Sequence, residues 1–411
     1  MSTSTIKESS GVWKDGIAKE ITFIVTKDCQ LACKYCYLVG KNNSERMSFE
    51  IAKKAIDYVL ANENDRNFAT QSVIWDFIGG EPFLEIDLID QICDYIKMQM
   101  YSRNHHWFDS YRFNFTTNGI NYDNERIQKF IAKNKNHIDV TMTIDGTRQK
   151  HDLNRVYKGS GKGSYDDVVR NIPLYLEQFP GAPTKVTISS ADIPYIKESV
   201  LHLFSLGIQE VNINCVFENV WKEGDDLLFE KQLIELADEI IDNSLYENNM
   251  CSFYSEEIGK PLSLEMSNQN WCGAGMMLSI DAAGDFYPCT RFAQYSLRDK
   301  RSWKIGNVSS GIDENKLRAF LTLDRSSQST QECLDCEVAC GCAWCQGENF
   351  DAAKTHTVFE RATAICKMHK ARVRANNYYW NKLYRKLELE SKREEFEAQQ
   401  ALKKKSNPTI C

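Results

Sequence analysis

The chain has 411 residues, of which 42% are hydrophobic and 26% charged, a composition typical of a globular protein and a length that predicts two or three domains. The net charge of −7 argues against a nucleic-acid binder, because no basic excess is available to neutralise phosphates. No run of 18 apolar residues and no apolar N-terminal segment is present, so we expect neither a membrane span nor a secretory signal. Fifteen cysteines point to metal binding or catalysis rather than to a disulfide scaffold.

The first part of the chain predicts strands that alternate with helices. Met47–Leu60 and Ile86–Met98 are amphipathic stretches of helical length, and Ser48 is a suitable start for the first of them. Six such repeats predict an α/β fold with a parallel sheet and right-handed crossovers, closed into an open partial barrel of six strand–helix units. A flat doubly wound sheet is the alternative. The predicted strands are Ile21–Thr26, Val73–Ile78, Phe113–Thr117, Val140–Ile144, Lys185–Ser189 and Glu210–Val216.

Composition divides the chain into four parts. We expect the barrel over 15–218, a linking helix region over 219–264, a Cys-rich domain over 265–367 and a charged C-terminal helix with a tail over 368–411. The aromatic side chains of the last helix are predicted to pack it onto the barrel, and a contact with a peptide is the alternative. These aromatic residues are Tyr378, Tyr379, Trp380 and Tyr384.

Three cysteines stand close together directly after the first predicted strand. The spacing of Cys29, Cys33 and Cys36 lets one loop wrap three thiolates around a single inorganic cluster. A cubane iron–sulfur cluster normally has four Cys ligands, so a three-thiolate loop leaves one iron open, as catalytic metal sites do. A zinc knuckle with a distant fourth ligand is the alternative.

This Cys-x-x-x-Cys-x-x-Cys loop, with the aromatic Tyr35 before its last cysteine, resembles that of the radical S-adenosylmethionine (SAM) enzymes. The resemblance implies that SAM binds the open iron and is cleaved to a 5′-deoxyadenosyl radical. Further motifs of the family follow the predicted strands, where a barrel enzyme carries its site. By resemblance the SAM-binding residues are Tyr35, Gly79, Gly80, Glu81, Pro82, Thr117, Asn118, Thr143, Asp145, Arg155 and Ser189.

Within this set the chemistry of several residues supports the assignment. Gly79 and Gly80 permit a close backbone approach that a larger residue would block. Arg155, in a His-Asp-x-x-Arg segment, suits a carboxylate or ribose through its guanidinium geometry. Ser189 is a weaker candidate for the same contact.

The C-terminal cysteines resemble the SPASM extension of radical SAM peptide maturases, although two residues rather than the usual three separate Cys342 from Cys345. The resemblance implies two auxiliary [4Fe–4S] clusters, three clusters in all. Cys272, Cys289 and Cys345 would hold auxiliary cluster I, with an iron that is open or filled by Cys340 or Cys251. Auxiliary cluster II would be held by Cys333, Cys336, Cys342 and Cys366. A zinc ribbon of Cys333, Cys336, Cys342 and Cys345 is the alternative, and Cys93 and Cys215 are expected to be buried core residues.

The resemblance narrows to maturases of Cys-repeat precursor peptides, of ranthipeptide or sactipeptide type. Thr290 stands where anaerobic sulfatase maturases carry an Asp base, and a hydroxyl cannot replace a carboxylate in that role. We therefore expect a cytoplasmic oxidoreductase that installs thioether crosslinks, from Cys sulfur to a carbon of another residue, in a Cys-rich ribosomal peptide. A flavodoxin or ferredoxin would supply electrons.

Two alternatives to thioether formation remain. One is a different modification of a peptide, by carbon–carbon crosslinking or side-chain oxidation, and the other is a zinc-bearing interaction module. The 28 residues before Cys29 are too few for an N-terminal winged-helix module, so we expect the precursor to pair along an exposed strand or to use the C-terminal helix.

Overall fold

The computed structural model describes residues 18–259, 272–336, 338–339 and 341–405. Its sheet begins with six parallel strands that lie side by side in chain order. They are β1 (Ala18–Thr26), β2 (Ser72–Gly79), β3 (Tyr111–Thr117), β4 (Ile138–Thr143), β5 (Thr184–Ile188) and β6 (Glu210–Cys215). This order has no point at which the direction of winding reverses, unlike a doubly wound sheet. The six predicted strands and the α/β barrel are confirmed.

Eight helices of the described chain follow or connect these strands. They are α1 (Phe49–Ala61), α2 (Ile86–Ser102), α3 (Glu125–Lys133), α4 (Arg148–Asn154), α5 (Tyr165–Val169), α6 (Ile172–Gln178), α7 (Ile196–Ser205) and α8 (Asp225–Asp242). Ser48 caps α1 as predicted, since its side chain accepts a hydrogen bond from the Ile51 backbone N–H. Among the described residues no helix combines the length and hydrophobicity that a membrane span needs.

The two faces of the sheet differ in polarity. The face covered by helices carries large apolar side chains, such as Phe23, Trp75 and Phe113, all without exposed surface. Alternate residues point to the opposite, inner face, where Asp76 and Asn114 lie side by side in register. The inner face is therefore a polar lining on which a site can be built.

The C-terminal half of the chain extends the same sheet at both edges. β7 (Met250–Cys251) pairs in parallel with β6, and β8 (Leu278–Ile280) pairs in parallel with β1. Three antiparallel neighbours follow β8, namely β9 (Asp285–Tyr287), β10 (Gly306–Asn307) and β11 (Gly311–Ile312). The sequence did not predict this continuity between the barrel and the Cys-rich region.

Further helices follow β11 in the described part of the chain. They are α9 (Glu314–Leu321), α10 (Arg325–Gln328), α11 (Gln331–Leu334), α12 (Gln346–Ala352), α13 (Cys366–Lys386) and α14 (Glu390–Lys405). The single C-terminal helix expected from the sequence is interrupted, because Glu388 adopts a left-handed conformation with φ of 56°. Two helices result.

The aromatic residues of helix α13 pack it onto α8 and the segment after it, which lie in the predicted linking region rather than in the barrel. The Tyr379 ring stacks on Tyr254 with 4.3 Å between ring centroids. Lys382 pairs with Asp238 on α8 at 2.7 Å. Cys93 is buried as predicted, whereas Cys215 is only partly buried because it lies at the last position of β6.

Replacement of the α1 cap should destabilise the barrel modestly. We expect Ser48→Ala to lower the free energy of unfolding by about 1 kcal/mol, since one N-terminal N–H loses its partner. Denaturant unfolding measures this change. Ser48→Asp is the control, because a carboxylate also caps the helix; an equal loss in both variants would contradict the capping role.

Candidate active site

The first three cysteines lie in the loop that leaves β1 and enters the space above the barrel. Cys29 is buried, while Cys33 and Cys36 are partly buried. The Ala32 N–H donates to the Val156 carbonyl at 2.8 Å, and the Lys34 N–H donates to the Asn154 carbonyl at 3.1 Å. Backbone hydrogen bonds to the segment after α4 therefore hold this loop, which we call the thiol loop (residues 27–36).

The glycines after β2 approach the thiol loop itself. A Cβ atom on Gly79 would lie 2.1 Å from the Thr26 carbonyl oxygen, and one on Gly80 would lie 2.1 Å from the Asp28 carbonyl oxygen. The Glu81 N–H also donates to the Asp28 carbonyl at 2.9 Å. The close backbone approach expected at these glycines is therefore present, and its partner is the chain that carries Cys29.

Glu81 connects this loop to the end of β3. Its carboxylate accepts hydrogen bonds from the Thr117 hydroxyl at 2.7 Å and the Asn118 backbone N–H at 2.7 Å. The Asn118 side-chain amide lies 3.8 Å from the Cys29 sulfur and donates to Gln30 at 3.0 Å. Pro82 begins the 3-10 turn that follows. The structure thus brings together four predicted residues beside Cys29.

A second network joins Tyr35 to the end of β4. The Tyr35 hydroxyl donates to Asp145 at 2.5 Å and accepts from the Arg155 guanidinium at 3.1 Å. Arg155 is 6% exposed, and its Nε has no protein partner. A buried guanidinium N–H left free beside the thiol loop fits an external carboxylate.

Asp145 is held as an anion by its neighbours. Burial raises the pKa of its carboxyl, but Lys150 and Arg155 outweigh burial, so that the pKa lies below its usual value. Lys150 is itself fully buried between Asp145 and Asp192, at 3.9 and 3.7 Å. Lys150 was not predicted to belong to the site. In the sequence it is marked only by its position one residue before the His-Asp-x-x-Arg segment.

The other side chains near the predicted SAM site differ in burial and in the partners they already have within the chain. Thr143 is buried at the end of β4. The Ser189 hydroxyl donates to Asp192 at 2.6 Å, so it is already engaged within the chain. His151 is buried, and burial together with Arg155 lowers its pKa to about 3, which keeps the imidazole neutral.

The thiol loop fits an iron–sulfur cluster by its donor chemistry. Burial, with Glu81 nearby, raises the pKa of Cys29 to about 11, and burial also raises the pKa of Cys33. Cys33 is an electrostatic neighbour of both Cys29 and Cys36, and all three thiols are free. Three neighbouring thiols in one loop fit a site that a metal completes, because metal binding displaces thiol protons.

The C-terminal cysteines separate into two groups. Cys272 and Cys289 have Cys345 as an electrostatic neighbour, so these three form one group. Cys342 has the other three block cysteines, Cys333, Cys336 and Cys366, as its neighbours. The grouping follows the division that the family resemblance implies for the two auxiliary clusters.

This arrangement argues against two alternatives for these cysteines. A zinc ribbon requires Cys345 beside Cys342, but Cys345 lies with Cys272 and Cys289. Cys251 lies on the edge strand β7 with Arg372 as its charged neighbour, so it does not join the three-thiol group. Cys340, the other spare thiol, lies outside the described residues.

Arg291 lies between the thiol loop in the N-terminal half of the chain and the three-thiol group in the C-terminal half. Its guanidinium lies 4.3 Å from the centre of the Tyr37 ring, next to Cys36 in sequence. It pairs with Glu218 at 2.7 Å and lies 3.9 Å from Glu348 on α12. Neither Tyr37 nor Arg291 was predicted to be functional, since contacts across distant segments leave no local pattern.

A separate group of metal-type donors consists of Glu63, His105 and His106. The two imidazole rings stack at 4.7 Å with 17° between their planes. The His105 Nε2 and the His106 Nδ1 lie 3.5 and 3.6 Å from the same Glu63 oxygen. Both rings also pack near Trp107, whose backbone N–H donates to His105 at 3.2 Å.

Comparison with known proteins agrees with this architecture. Residues 23–213 match the model described as "Radical SAM superfamily". The structure of anSMEcpe with bound AdoMet is 18% identical, has a TM-score of 0.65, and matches over 90% of this chain and 98% of that one. Streptococcus suis SuiB bound to precursor peptide SuiA is 16% identical with a TM-score of 0.56, over 85% of this chain and 76% of that one. These likenesses show a shared fold.

Sequence relatives extend over much of the chain. An uncharacterized protein of Methanocaldococcus jannaschii is 27% identical over 74% of this chain and 92% of its own. The radical SAM cyclopropyl synthase TigE of Paramaledivibacter caminithermalis is 20% identical over 79% of this chain and 67% of its own. A cysteine-type anaerobic sulfatase-maturating enzyme of Clostridium novyi is 31% identical over 36% of this chain and 38% of its own.

Residues 23–213 are therefore similar to the radical SAM superfamily. Folds of this superfamily bind SAM and a [4Fe–4S] cluster, and the thiol loop and Arg155 supply fitting donors for both.

A methyl group at Gly80 should displace the thiol loop. We expect Gly80→Ala to lose about four iron atoms per chain, because its Cβ would lie 2.1 Å from the Asp28 carbonyl oxygen and 2.9 Å from the Cys29 Cβ. Iron analysis of anaerobically prepared protein measures this loss. Gly159→Ala is the control for backbone strain alone, since its φ of +82° disfavours alanine while no atom lies within 4 Å of the added Cβ. Full iron content in Gly80→Ala would contradict the proposed constraint.

Proposed function

We propose that this protein is a radical SAM oxidoreductase that installs thioether crosslinks in a Cys-rich, ribosomally made precursor peptide. The observation that carries the proposal is the division of the C-terminal cysteines into a group of three and a group of four. Three thiols leave one position of a cubane open. A substrate thiolate can occupy that position.

The thiol loop would hold the cluster that cleaves SAM, with Cys29, Cys33 and Cys36 as ligands. When bound, this cluster supplies an electron that converts SAM to methionine and a 5′-deoxyadenosyl radical, an oxidant able to remove hydrogen from carbon. Arg155 would bind the SAM carboxylate through its free Nε–H. Tyr35 and Asp145 would fix the orientation of this guanidinium by their hydrogen bonds.

Glu81 would act through the backbone around it. Its carboxylate is held by Thr117 and Asn118, and it therefore positions the end of β3 beside the SAM site. Gly79 and Gly80 keep the thiol loop against this strand end. Burial of these groups excludes water, which protects a reactive carbon radical.

The three-thiol group (Cys272, Cys289 and Cys345) and the group of four C-terminal cysteines would each hold one auxiliary [4Fe–4S] cluster. With the cluster of the thiol loop, the protein would hold three clusters. Arg291 lies near the three-thiol group and against Tyr37, so the first and second sites are adjacent. Two of the structural matches contain a peptide, namely the precursor peptide SuiA bound to SuiB and the Cp18Cys peptide bound to anSMEcpe. They support a peptide substrate for this chain, and Thr290 in place of an Asp base supports a product other than that of sulfatase maturation.

We further propose that a flavodoxin or ferredoxin supplies the electrons and that the reaction takes place in the cytoplasm. Reduced thiols in all thirteen described cysteines support a reducing compartment.

The reaction is tested with short Cys-repeat peptides encoded beside the gene, incubated anaerobically with SAM, a reductant and the iron-loaded enzyme. We expect 5′-deoxyadenosine and a peptide mass loss of about 2 Da per crosslink, because two hydrogens leave. Alkylation of free thiols counts the Cys residues consumed. Mass loss that persists in a peptide with every Cys replaced by Ala would favour carbon–carbon crosslinking or side-chain oxidation instead.

The metal assignment is tested separately by elemental and sulfide analysis. We expect about twelve iron atoms per chain, and about four fewer in Cys345→Ala. Cys93→Ala is the control, because this buried thiol belongs to none of the three groups. Zinc without iron or acid-labile sulfide would contradict the proposal and favour an interaction module.

A further inference from the structure

The inner face of the sheet carries a row of polar side chains that no cofactor contact uses. Thr22 on β1 lies in register with Ser279 on β8 and with Asp76 on β2, and Asp76 lies in register with Asn114 on β3. Residues paired in register across parallel strands point to the same face. Thr22, Ser279 and Asp76 are 1%, 0% and 8% exposed, so the row forms the floor of the barrel interior.

Asp76 is the charged member of this row. The Asn114 side-chain amide donates to it at 2.6 Å, and Thr22 lies beside it in register. Burial raises the pKa of Asp76 to about 6, although Asn114, Thr22 and the Lys185 amine act in the opposite direction. A carboxyl with this pKa exchanges a proton readily near neutral pH.

The remaining groups around Asp76 point to a ligand in the space above it. The Tyr295 side chain is 4% exposed, its hydroxyl has no protein partner, and its neighbours include Cys36 and Asp76. Lys185 on β5 has Asp76, Cys36, Arg155 and Arg291 as electrostatic neighbours. Asp76 therefore lies between the thiol loop and the Arg291 side of the three-thiol group.

Other buried carboxylates of the site are committed elsewhere. Glu81 accepts hydrogen bonds from Thr117 and Asn118, and Asp145 is held as an anion by Lys150 and Arg155. Glu218 is paired with Arg291. Asp76 has no such cationic contact within ion-pair distance among the described residues, and it faces the interior.

We propose that Asp76 is the proton acceptor for the peptide substrate, an assignment that rests on the proposed function. The S–H bond of a substrate cysteine breaks, its proton forms an O–H bond with the Asp76 carboxylate, and the electron pair stays on sulfur. No electron changes hands in this step. Lys185 and Tyr295 position the substrate through their polar atoms above Asp76.

The proposal is tested in the iron-loaded enzyme with Asp76→Asn, which keeps the shape of the side chain but cannot accept the proton. We expect 5′-deoxyadenosine formation at the wild-type rate and peptide crosslinking at least about 100-fold slower. Asp139→Asn is the matched control. Asp139, on β4, lies in register with Asn114 on β3, but its side chain is largely exposed beside Arg112. This variant should crosslink the peptide normally.

The pH profile separates proton transfer from a structural role. In the wild type, crosslinking should fall as the pH drops below about 6, because the acceptor becomes protonated, while the residual rate of Asp76→Asn should lack this limb. Asp76→Glu should restore most of the rate. Among the described residues, the titratable groups that face Asp76 are Lys185 and Tyr295. Burial lowers the pKa of the Lys185 amine and raises the pKa of the Tyr295 hydroxyl.

Three outcomes would overturn the assignment: wild-type crosslinking in Asp76→Asn, loss of 5′-deoxyadenosine together with crosslinking in that variant, or an unchanged acid limb. If the wild type modifies no peptide, the proposed function fails, and infrared spectroscopy still decides on Asp76. A carboxylic-acid carbonyl band should then be present at about pH 5, disappear by about pH 7.5 and be missing in Asp76→Asn. Absence of that band from the wild type would overturn the assignment as well.

Discussion

The close contact between the end of β2 and the thiol loop is the constraint on which the rest of the site depends. Two backbone segments run within a distance that leaves no room for a Cβ atom at Gly79 or Gly80. On the other side, hydrogen bonds to residues 154–158 hold the same loop. The three thiols are thus fixed from two directions before any metal binds, so little conformational entropy remains to be lost when it does.

Two buried aspartates of the same barrel have pKa values that are shifted in opposite directions. Asp145 lies beside Lys150 and Arg155, whose charges outweigh desolvation and lower the pKa of its carboxyl. Asp76 has hydrogen-bonding neighbours and only one distant amine, so desolvation dominates and the pKa rises to about 6. The first arrangement suits a permanent anion that orients a cation. The second suits a group that gains and loses a proton.

Much of this could be predicted from the sequence because strands and cysteine spacings are local signals. The six barrel strands were found from β-branched and aromatic runs, and the cap at Ser48 was found from its position before an amphipathic stretch. The contacts of Arg291 with Tyr37 and Glu218 could not be predicted, since they join segments more than 70 residues apart. The inner-face row at Asp76 likewise depends on register between strands, which alternation alone does not determine.

The chain supplies partners of its own for some predicted side chains. Ser189 was a weaker candidate for a contact with SAM, and its hydroxyl donates to Asp192, three residues later. Cys251 was a candidate ligand by composition, yet it lies on the edge strand β7 beside Arg372. The break of the C-terminal helix at Glu388 depends on one left-handed residue, a conformation that few non-glycine residues adopt.

The parallel pairing of β8 with β1 makes the Cys-rich half and the barrel parts of one hydrogen-bonded sheet. Opening the molecule between these halves would break a ladder of backbone hydrogen bonds at its centre. For the proposed peptide substrate, the enzyme could not close by the swing of one half onto the other. The length and side-chain bulk of such a peptide would then determine which of its residues reach the site.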